Sequence, residues 1–525
     1  MLGKQAAGNR PPEPARPLAR AAWLEAPLST SSCVIGWLVA TGVFLGLASF
    51  LGGPAEGDAA ESVYSTWAIA HGRIACAVPP ITTHHIVPLA RPGAIATPLW
   101  PLISGAFDAL IRIGHNVPFP SQRALGPHCS TALTAMYKWS VQSGAALPTV
   151  RLGYLSWFVL MGGVVALLRA SGRGRCRWEP LVLVLMACVP PVLAALVDFF
   201  HPQDIVAMGL ALGGLACARR GWWVWAGVLV GLAFTSQQFA LLVIAPLFVV
   251  APRDRRARFA GAGLAAAAVV LLPIVALTSG RALGASLLGT GNSSGYGGTL
   301  LWELHPHGVM LVILSRIMPI VASMLLARWA ARRLGSAVMD PIPLLSLIAT
   351  SLSLRLVFEQ NLYGYYFMAL AVSLVLLDVV AGRIRMQLVA WLGLLTLAFD
   401  PVPWGLLSNG QPWGLDVRLY LPLAFMVIVS LFIASDVIRG RIRWYLVAWL
   451  TVAILAFAKL PPWTVQPTRP TLPNWLWQIV LLASGIALAV RPLISYRPHR
   501  GLPDLDPDTP DLTMVAASAA GGREG

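Results

Sequence analysis

Asp58, Glu61 and Tyr64 stand in "GDAAESVY", just past the first long apolar run of the chain. Ala59 and Ala60 favour a helix there, which would put Glu61 and Tyr64 within a turn or two of Asp58. A carboxylate at a membrane boundary under a covering loop is partly desolvated, and desolvation raises its pKa towards that of a base useful near neutrality. A solvated loop acid explains the same residues. A second polar set, "DFFHPQD", places Asp198, His201, Gln203 and Asp204 in one tight turn between apolar runs. Asp204 opens the run that follows, where an acid can cap exposed backbone N–H groups.

A third set lies in "SLRLVFEQNLYGYYF". Arg355 and Glu359 are four residues apart, so they can pair on one helix face. An arginine at mid-membrane costs about 2.5–3.5 kcal/mol unless it is paired or snorkels to the interface. Tyr365, with Tyr363 and Tyr366, could form a platform for a sugar ring or part of an ordinary interfacial aromatic belt. His305 and His307, in "ELHPHG", complete the ligand-type residues. Neither this stretch nor "THH" at 83–85 has the helical HExxH spacing or thiolate pairs of a zinc site. "GTGNSSGYGG" follows no strand and lacks the Lys-Ser/Thr of a nucleotide loop, so a flexible outer loop is the better reading. The sequence calls for neither a metal nor a cofactor.

These residues sit in a chain that is 57% hydrophobic and 11% charged, with mean hydropathy +0.70. So few polar residues cannot cover the surface of a water-soluble globule, and the chain reads as an all-α, polytopic membrane protein. The net charge of +16 does not imply nucleic acid, because the basic residues cluster in short loops between apolar spans.

Apolar runs predict about 12–14 spans: 33–51, 150–170, 179–197, 205–218, 222–235, 237–251, 259–279, 308–327, 338–358, 364–380, 386–400, 419–437, 444–460 and 475–491. The positive-inside rule tests this topology. Arg173, Arg175 and Arg177, then Arg219 and Arg220, Arg253 to Arg258, Arg328 to Arg333, Arg383 and Arg385, and Arg439 to Arg443 all fall on one side, read as cytoplasmic with both termini. The opposite side receives "DFFHPQD", eight of the nine histidines and a long first extracytoplasmic loop, 52–149. "TPLWPLISGAFDALIRIG" in that loop reads as a surface or re-entrant helix. Cys76 and Cys129 also lie in it, either disulfide-bonded by an oxidising exterior or free.

Residues 1–32 and 492–525 read as disordered cytoplasmic ends. "DVVAGRIRMQLVAWL" at 378 and "DVIRGRIRWYLVAWL" at 436 are copies of one helix-turn-helix, which marks 371–491 as added scaffold beside a module at 33–370.

The long outer loop opening with an acid soon after helix 1, followed by short loops and many helices, resembles the GT-C superfamily of membrane glycosyltransferases. Within it, "HPQDIVAMGLALGGLACARRGWWVWAGVLVGLAFTSQQFALLVIAPLFVV" is similar to bacterial polyprenyl-phosphate-mannose-dependent mannosyltransferases. The chain departs from their pattern at the polar break, where "TSQQF" replaces a common Lys-Pro.

The resemblance implies a multi-pass protein of the inner (plasma) membrane with an extracytoplasmic active site. Its implied partners are a polyprenyl-phosphate sugar donor, a lipid-linked or cell-envelope glycan acceptor, and membrane lipids; nucleic acid is not among them. The expected reaction is an inverting transfer of a sugar, mannose first. The phosphate leaving group needs no general acid, so one carboxylate base suffices, and by resemblance that is Asp58. Positive charge and N–H donors must meet the phosphate. His201, Asp204, Arg355, Glu359 and His305 are the expected donor-side residues, and Glu61, Tyr64, Asp198, Gln203 and Tyr365 the acceptor-side or supporting ones. The rival readings are a transporter or flippase of lipid-linked sugars, suggested by Pro190, Pro191 and Arg316 inside spans, and an inactive scaffold of the same fold.

Overall fold

The computed structural model describes residues 24–51, 65–66, 68–69, 98–111, 151–197, 200–277, 308–359, 364–398 and 472–497. Over these residues the chain is a helical membrane protein. The helices are α1 (Thr30–Leu51), α2 (Leu99–Ile111), α3 (Ser156–Ala170), α4 (Trp178–Ala187), α5 (Pro190–Val197), α6 (Pro202–Arg219), α7 (Trp223–Ser236) and α8 (Leu241–Val250). They continue as α9 (Arg253–Leu277), α10 (Gly308–Val312), α11 (Met318–Leu334), α12 (Pro341–Val357), α13 (Met368–Val380), α14 (Met386–Ala398) and α15 (Leu472–Ser495). Each span expected from hydropathy has a helical counterpart except 419–437 and 444–460, which lie outside the described residues together with the second copy of the repeat.

Among the described residues, four helical stretches are long and apolar enough to cross a membrane by themselves: Thr30–Ser49, Arg151–Ala170, Arg253–Leu277 and Met310–Met339. The expected span at 179–197 is two helices, α4 and α5, bent by 48°. Pro190 and Pro191 open α5, and proline removes the N–H donors a continuous helix would need there.

Lipid tails are as apolar as leucine, so burial of apolar surface does not drive membrane helices together; close backbone packing does. Gly163 of α3 and Gly209 of α6 touch backbone to backbone, and a methyl group on either would run into the other helix. Gly227 and Gly231 of α7 lie in the same way against Phe259 and Gly263 of α9. The outer-loop segment expected to be helical is α2, which packs against α6 and α7. Its Ser104 Oγ meets Thr66 Oγ1 at 2.7 Å.

The arginines of the basic loops bind helix ends. Helix C-termini carry carbonyls with no partner in their own helix and a partial negative charge, which cations complement. Arg173 donates to Val380 O at 3.4 Å, Arg219 to Ala170 O at 3.2 Å, and Arg256 to Val249 O at 2.7 Å. Arg333 reaches Ile494 O at the end of α15, and Arg385 reaches Leu488 O at 3.0 Å, a carbonyl left open within that helix because Pro492, four residues on, has no N–H. One end of the bundle is therefore closed by arginines that bind carbonyls of other helices. Glu179, fully buried at this end, accepts from Arg169, from Trp37 Nε1 at 3.0 Å and from the Arg175 backbone N–H at 2.8 Å.

Candidate functional site

The opposite end of the bundle is built differently. Between α5 and α6, Phe200 adopts a left-handed backbone (φ 51°), uncommon for a residue with a side chain, and its own side chain is 1% exposed. The His201 N–H returns to Ala195 O and closes the end of α5. His201 then serves as the N-cap residue of α6, with Pro202 at the first helical position, where its missing N–H costs nothing. The His201 ring stacks on Tyr365 with centroids 4.2 Å apart and planes 13° apart, and its Nδ1 lies 2.8 Å from Gln203 Nε2. With that amide donating, Nδ1 accepts and the proton of the neutral ring sits on Nε2.

Asp204 does not cap the helix it opens. No side chain caps α6. Asp204 is 2% exposed, and its Oδ1 accepts from Gln237 Nε2. Gln237 is the extended residue in the break between α7 and the short turn Gln238–Ala240 that leads into α8. The neighbouring Ser236 Oγ donates to Gln203 O at 2.8 Å. The "TSQQF" break is thus stitched to the first turn of α6 by two side-chain hydrogen bonds. Where a lysine could meet Asp204 as a cation, this chain meets it with a neutral amide. Asp204 also lies within electrostatic reach of His201 and Arg355.

Arg355, in the last turn of α12, and Glu359, just past it, pair at 3.1 Å. The same carboxylate takes a second cation, Arg316, whose Nη1 is 3.7 Å from Oε1. Arg316 sits in a π-helical turn, Ile313–Ile317, between α10 and α11. One-turn π segments of this kind recur at functional sites, because the inserted residue re-aims a side chain. The Arg355 guanidinium lies over two aromatic faces, 5.7 Å from the Phe239 centroid and 4.8 Å from that of Tyr366. Tyr366 in turn meets Tyr365 edge to face at 4.6 Å. Charge and rings therefore connect α6, the α7–α8 break, the π turn, α12 and the turn Gly364–Phe367 into one cluster. His201, Gln203, Gln237, Arg316, Arg355 and Tyr366 are half-buried, whereas Asp204, Phe239, Glu359 and Tyr365 are buried.

Of the residues expected from sequence, His201, Gln203, Asp204, Arg355, Glu359 and Tyr365 converge here. Asp58, Glu61, Tyr64, Asp198 and His305 lie outside the described residues. The expected sites did not include Gln237, Phe239 or Arg316. Arg316 had the clearest signal, a charge inside an otherwise apolar span; Gln237 had only its position in a polar break.

Chemically, two guanidiniums brought onto one carboxylate gather directed N–H donors beside an aromatic wall. That arrangement suits an anion joined to a ring-shaped polar group. Fold and site together define a polytopic helical membrane protein with an ionised, aromatic-lined cluster at one end of its bundle. Residues 144–354, about two-fifths of the chain, match the family model of glycosyltransferase family 87. The matched stretch contains His201, Gln203, Asp204, Gln237 and Arg316 and stops one residue before Arg355. In this respect the chain is similar to membrane glycosyltransferases. No curated protein matches it.

Proposed function

We propose that this protein transfers a sugar, mannose first, from a polyprenyl-phosphate donor to a lipid-linked or cell-envelope glycan acceptor on the extracytoplasmic face of the inner membrane. The observation that carries the reading is the convergence of Arg316 and Arg355 on Glu359, beside the His201–Tyr365 stack. The match to a glycosyltransferase family over residues 144–354, which hold His201 and Arg316, supports it.

In this reading the two guanidiniums receive the donor phosphate. As the anomeric carbon gains positive character, negative charge gathers on the departing phosphate, and donors already oriented by Glu359 and the flanking rings need no reorganisation to meet it. His201 Nε2–H and Gln203 approach the phosphate or the sugar, and Tyr365 offers the ring face. Asp204 and Gln237 brace this wall from behind. Asp58 takes the proton of the acceptor hydroxyl, and the product has inverted configuration.

The test is transfer of radiolabelled mannose from synthetic polyprenyl-phosphate mannose in proteoliposomes containing wild type, Asp58→Ala or Arg316→Gln. Transfer by wild type, its loss with Asp58→Ala and its weakening at low donor concentration with Arg316→Gln are expected. Equal transfer with Asp58→Ala would remove that residue as the base. The bend at Pro190 and the π turn at Arg316 favour the flippase reading. Wild-type protein that moves lipid-linked sugar across vesicles and transfers none would establish that reading instead.

A further inference from the structure

A second basic site lies at the arginine-capped end, away from the sugar cluster. A cavity of about 180 Å³ opens between α14 and α15, lined by Arg385, Gln387, Trp391, Ser484, Leu488 and Arg491, with Ala487 at its mouth. Asp378 fixes the position of Arg385. It accepts from the Arg385 backbone N–H at 2.6 Å and from Nε at 2.5 Å, while Nη1 goes to Leu488 O. The remaining nitrogen, Nη2, is buried and has no hydrogen-bond partner among the described residues. A buried donor left unmet costs about 1–3 kcal/mol, so an acceptor brought into the cavity would relieve a standing penalty. Across the cavity Arg491 is exposed, and no carboxylate among the described residues lies within ion-pair distance of it. Asp378 faces Arg385 and also lies within electrostatic reach of Arg383, so among the described residues the site is net positive.

The other wall is apolar. Trp391 is 1% exposed, and its Nε1 is held by Leu481 O at 3.0 Å. Gly485 lets the indole lie against α15, since an added Cβ would come within 3.1 Å of Trp391 Cζ2. The cavity is smaller than the roughly 300–1,000 Å³ of a pocket that swallows a whole small-molecule ligand. It therefore suits a headgroup whose chains stay outside.

The geometry points to this cavity as a binding site for the phosphate headgroup of an anionic glycerophospholipid, with Arg385 and Arg491 on the phosphate, Trp391 in the apolar wall within, and the acyl chains leaving past Ala487. A free phosphate could use the two cations, but it would gain nothing from the apolar wall. Basic pockets between membrane helices near the interface fit lipid headgroups in this way. The site does not depend on sugar transfer.

Native mass spectrometry of the full-length protein in detergent tests the assignment, with phosphatidylglycerol or phosphatidylcholine of identical chains added and soluble glycerol phosphate as competitor. Wild type is expected to retain phosphatidylglycerol about tenfold better than phosphatidylcholine. Arg491→Gln, which removes an exposed charge, and Ala487→Trp, which fills the mouth, should each bring that ratio close to one, the loss of about one charge-assisted contact. Equal retention of both lipids by wild type, or an unchanged ratio in both variants, would overturn the proposal. So would displacement of the lipid by glycerol phosphate at equal concentration, which would make the site one for a soluble anion.

Discussion

Gln237 donates its side-chain amide to Asp204, across a gap of 33 residues and from one helix hairpin to the next. The acceptor is 2% exposed, so its negative charge has little water to rely on and depends on this donor and on nearby cations. Gln237→Ala should lower stability by about 1.5–3 kcal/mol, the worth of a hydrogen bond to a charged group. Gln237→Lys should recover most of that loss by meeting Asp204 with an ammonium. Thermal unfolding in detergent measures both, and two variants as stable as wild type would show that the contact carries no weight.

Glu359 holds two arginines that come from different helices. Removing its charge takes an ion-pair partner from both Arg316 and Arg355, whose side chains are only 18% and 14% exposed. Breaking a buried pair in this way costs about 3–5 kcal/mol, so Glu359→Gln should be strongly destabilised. Arg316→Gln leaves the Arg355–Glu359 pair in place and is the cleaner probe of function. It should raise the KM for polyprenyl-phosphate mannose about tenfold, the worth of one charge-assisted contact, and leave the KM for acceptor unchanged. An equal rise for both substrates would assign Arg316 to structure instead of to donor binding.

The part of this cluster that the sequence could show is the part that is local. Arg355 and Glu359 are four residues apart on one helical run, so their pairing follows from helix geometry. The partners 33 and 43 residues apart, Gln237 with Asp204 and Arg316 with Glu359, depend on which hairpins neighbour each other, and hydropathy carries no such information. It does locate spans, because a run of apolar side chains has one stable place in a membrane. It could not show that Pro190 and Pro191 would split one span into two helices rather than kink it. The motif at 378 gains a physical meaning: Asp378 closes the turn by binding the Arg385 backbone and side chain, around Gly382 in the left-handed region (φ 70°). The same Asp, Gly and Arg recur at 436, 440 and 443 in the second copy.

Glu179 serves as a control for the sugar site. It is fully buried at the far end of the bundle and binds Arg169, Trp37 and the Arg175 backbone. Glu179→Ala should cost about 3–5 kcal/mol by stranding Arg169 and two N–H donors. The KM values of whatever folds should match wild type. A changed donor KM in this variant would couple the two ends of the bundle and contradict their independence.

Helix packing by bare backbone gives a prediction of a different kind. Gly209 lies against Val159 and Leu160 of α3, and Gly231 against Gly263 of α9. Gly209→Val and Gly231→Val should each destabilise by about 1–3 kcal/mol through overpacking. Gly162, with open space where its Cβ would be, should accept alanine without loss. Unfolding midpoints for the three variants decide the matter, and a Gly162→Ala protein as unstable as the other two would undercut the packing argument.

Tyr496 follows α15 at the basic end and donates its hydroxyl to Asp340 Oδ2 at 2.5 Å. Burial, first, and then the hydrogen bond and charge of Asp340 push its pKa from the ordinary 10.0 up to about 12. Folding therefore favours the protonated phenol. The resulting stabilisation is fully present below pH 10, where the unfolded phenol is also protonated. It declines as pH rises from about 10, where the unfolded chain begins to release the proton, and is gone once pH passes through about 12. At neutral pH Tyr496→Phe removes the hydrogen bond and should cost about 1.5–3 kcal/mol, the worth of a bond to a carboxylate. Between pH 10 and 12 the difference between wild type and Tyr496→Phe should shrink. Unfolding midpoints compared across that window provide the check, and a difference that stays constant from pH 8 to 12 would show that Tyr496 does not titrate with folding.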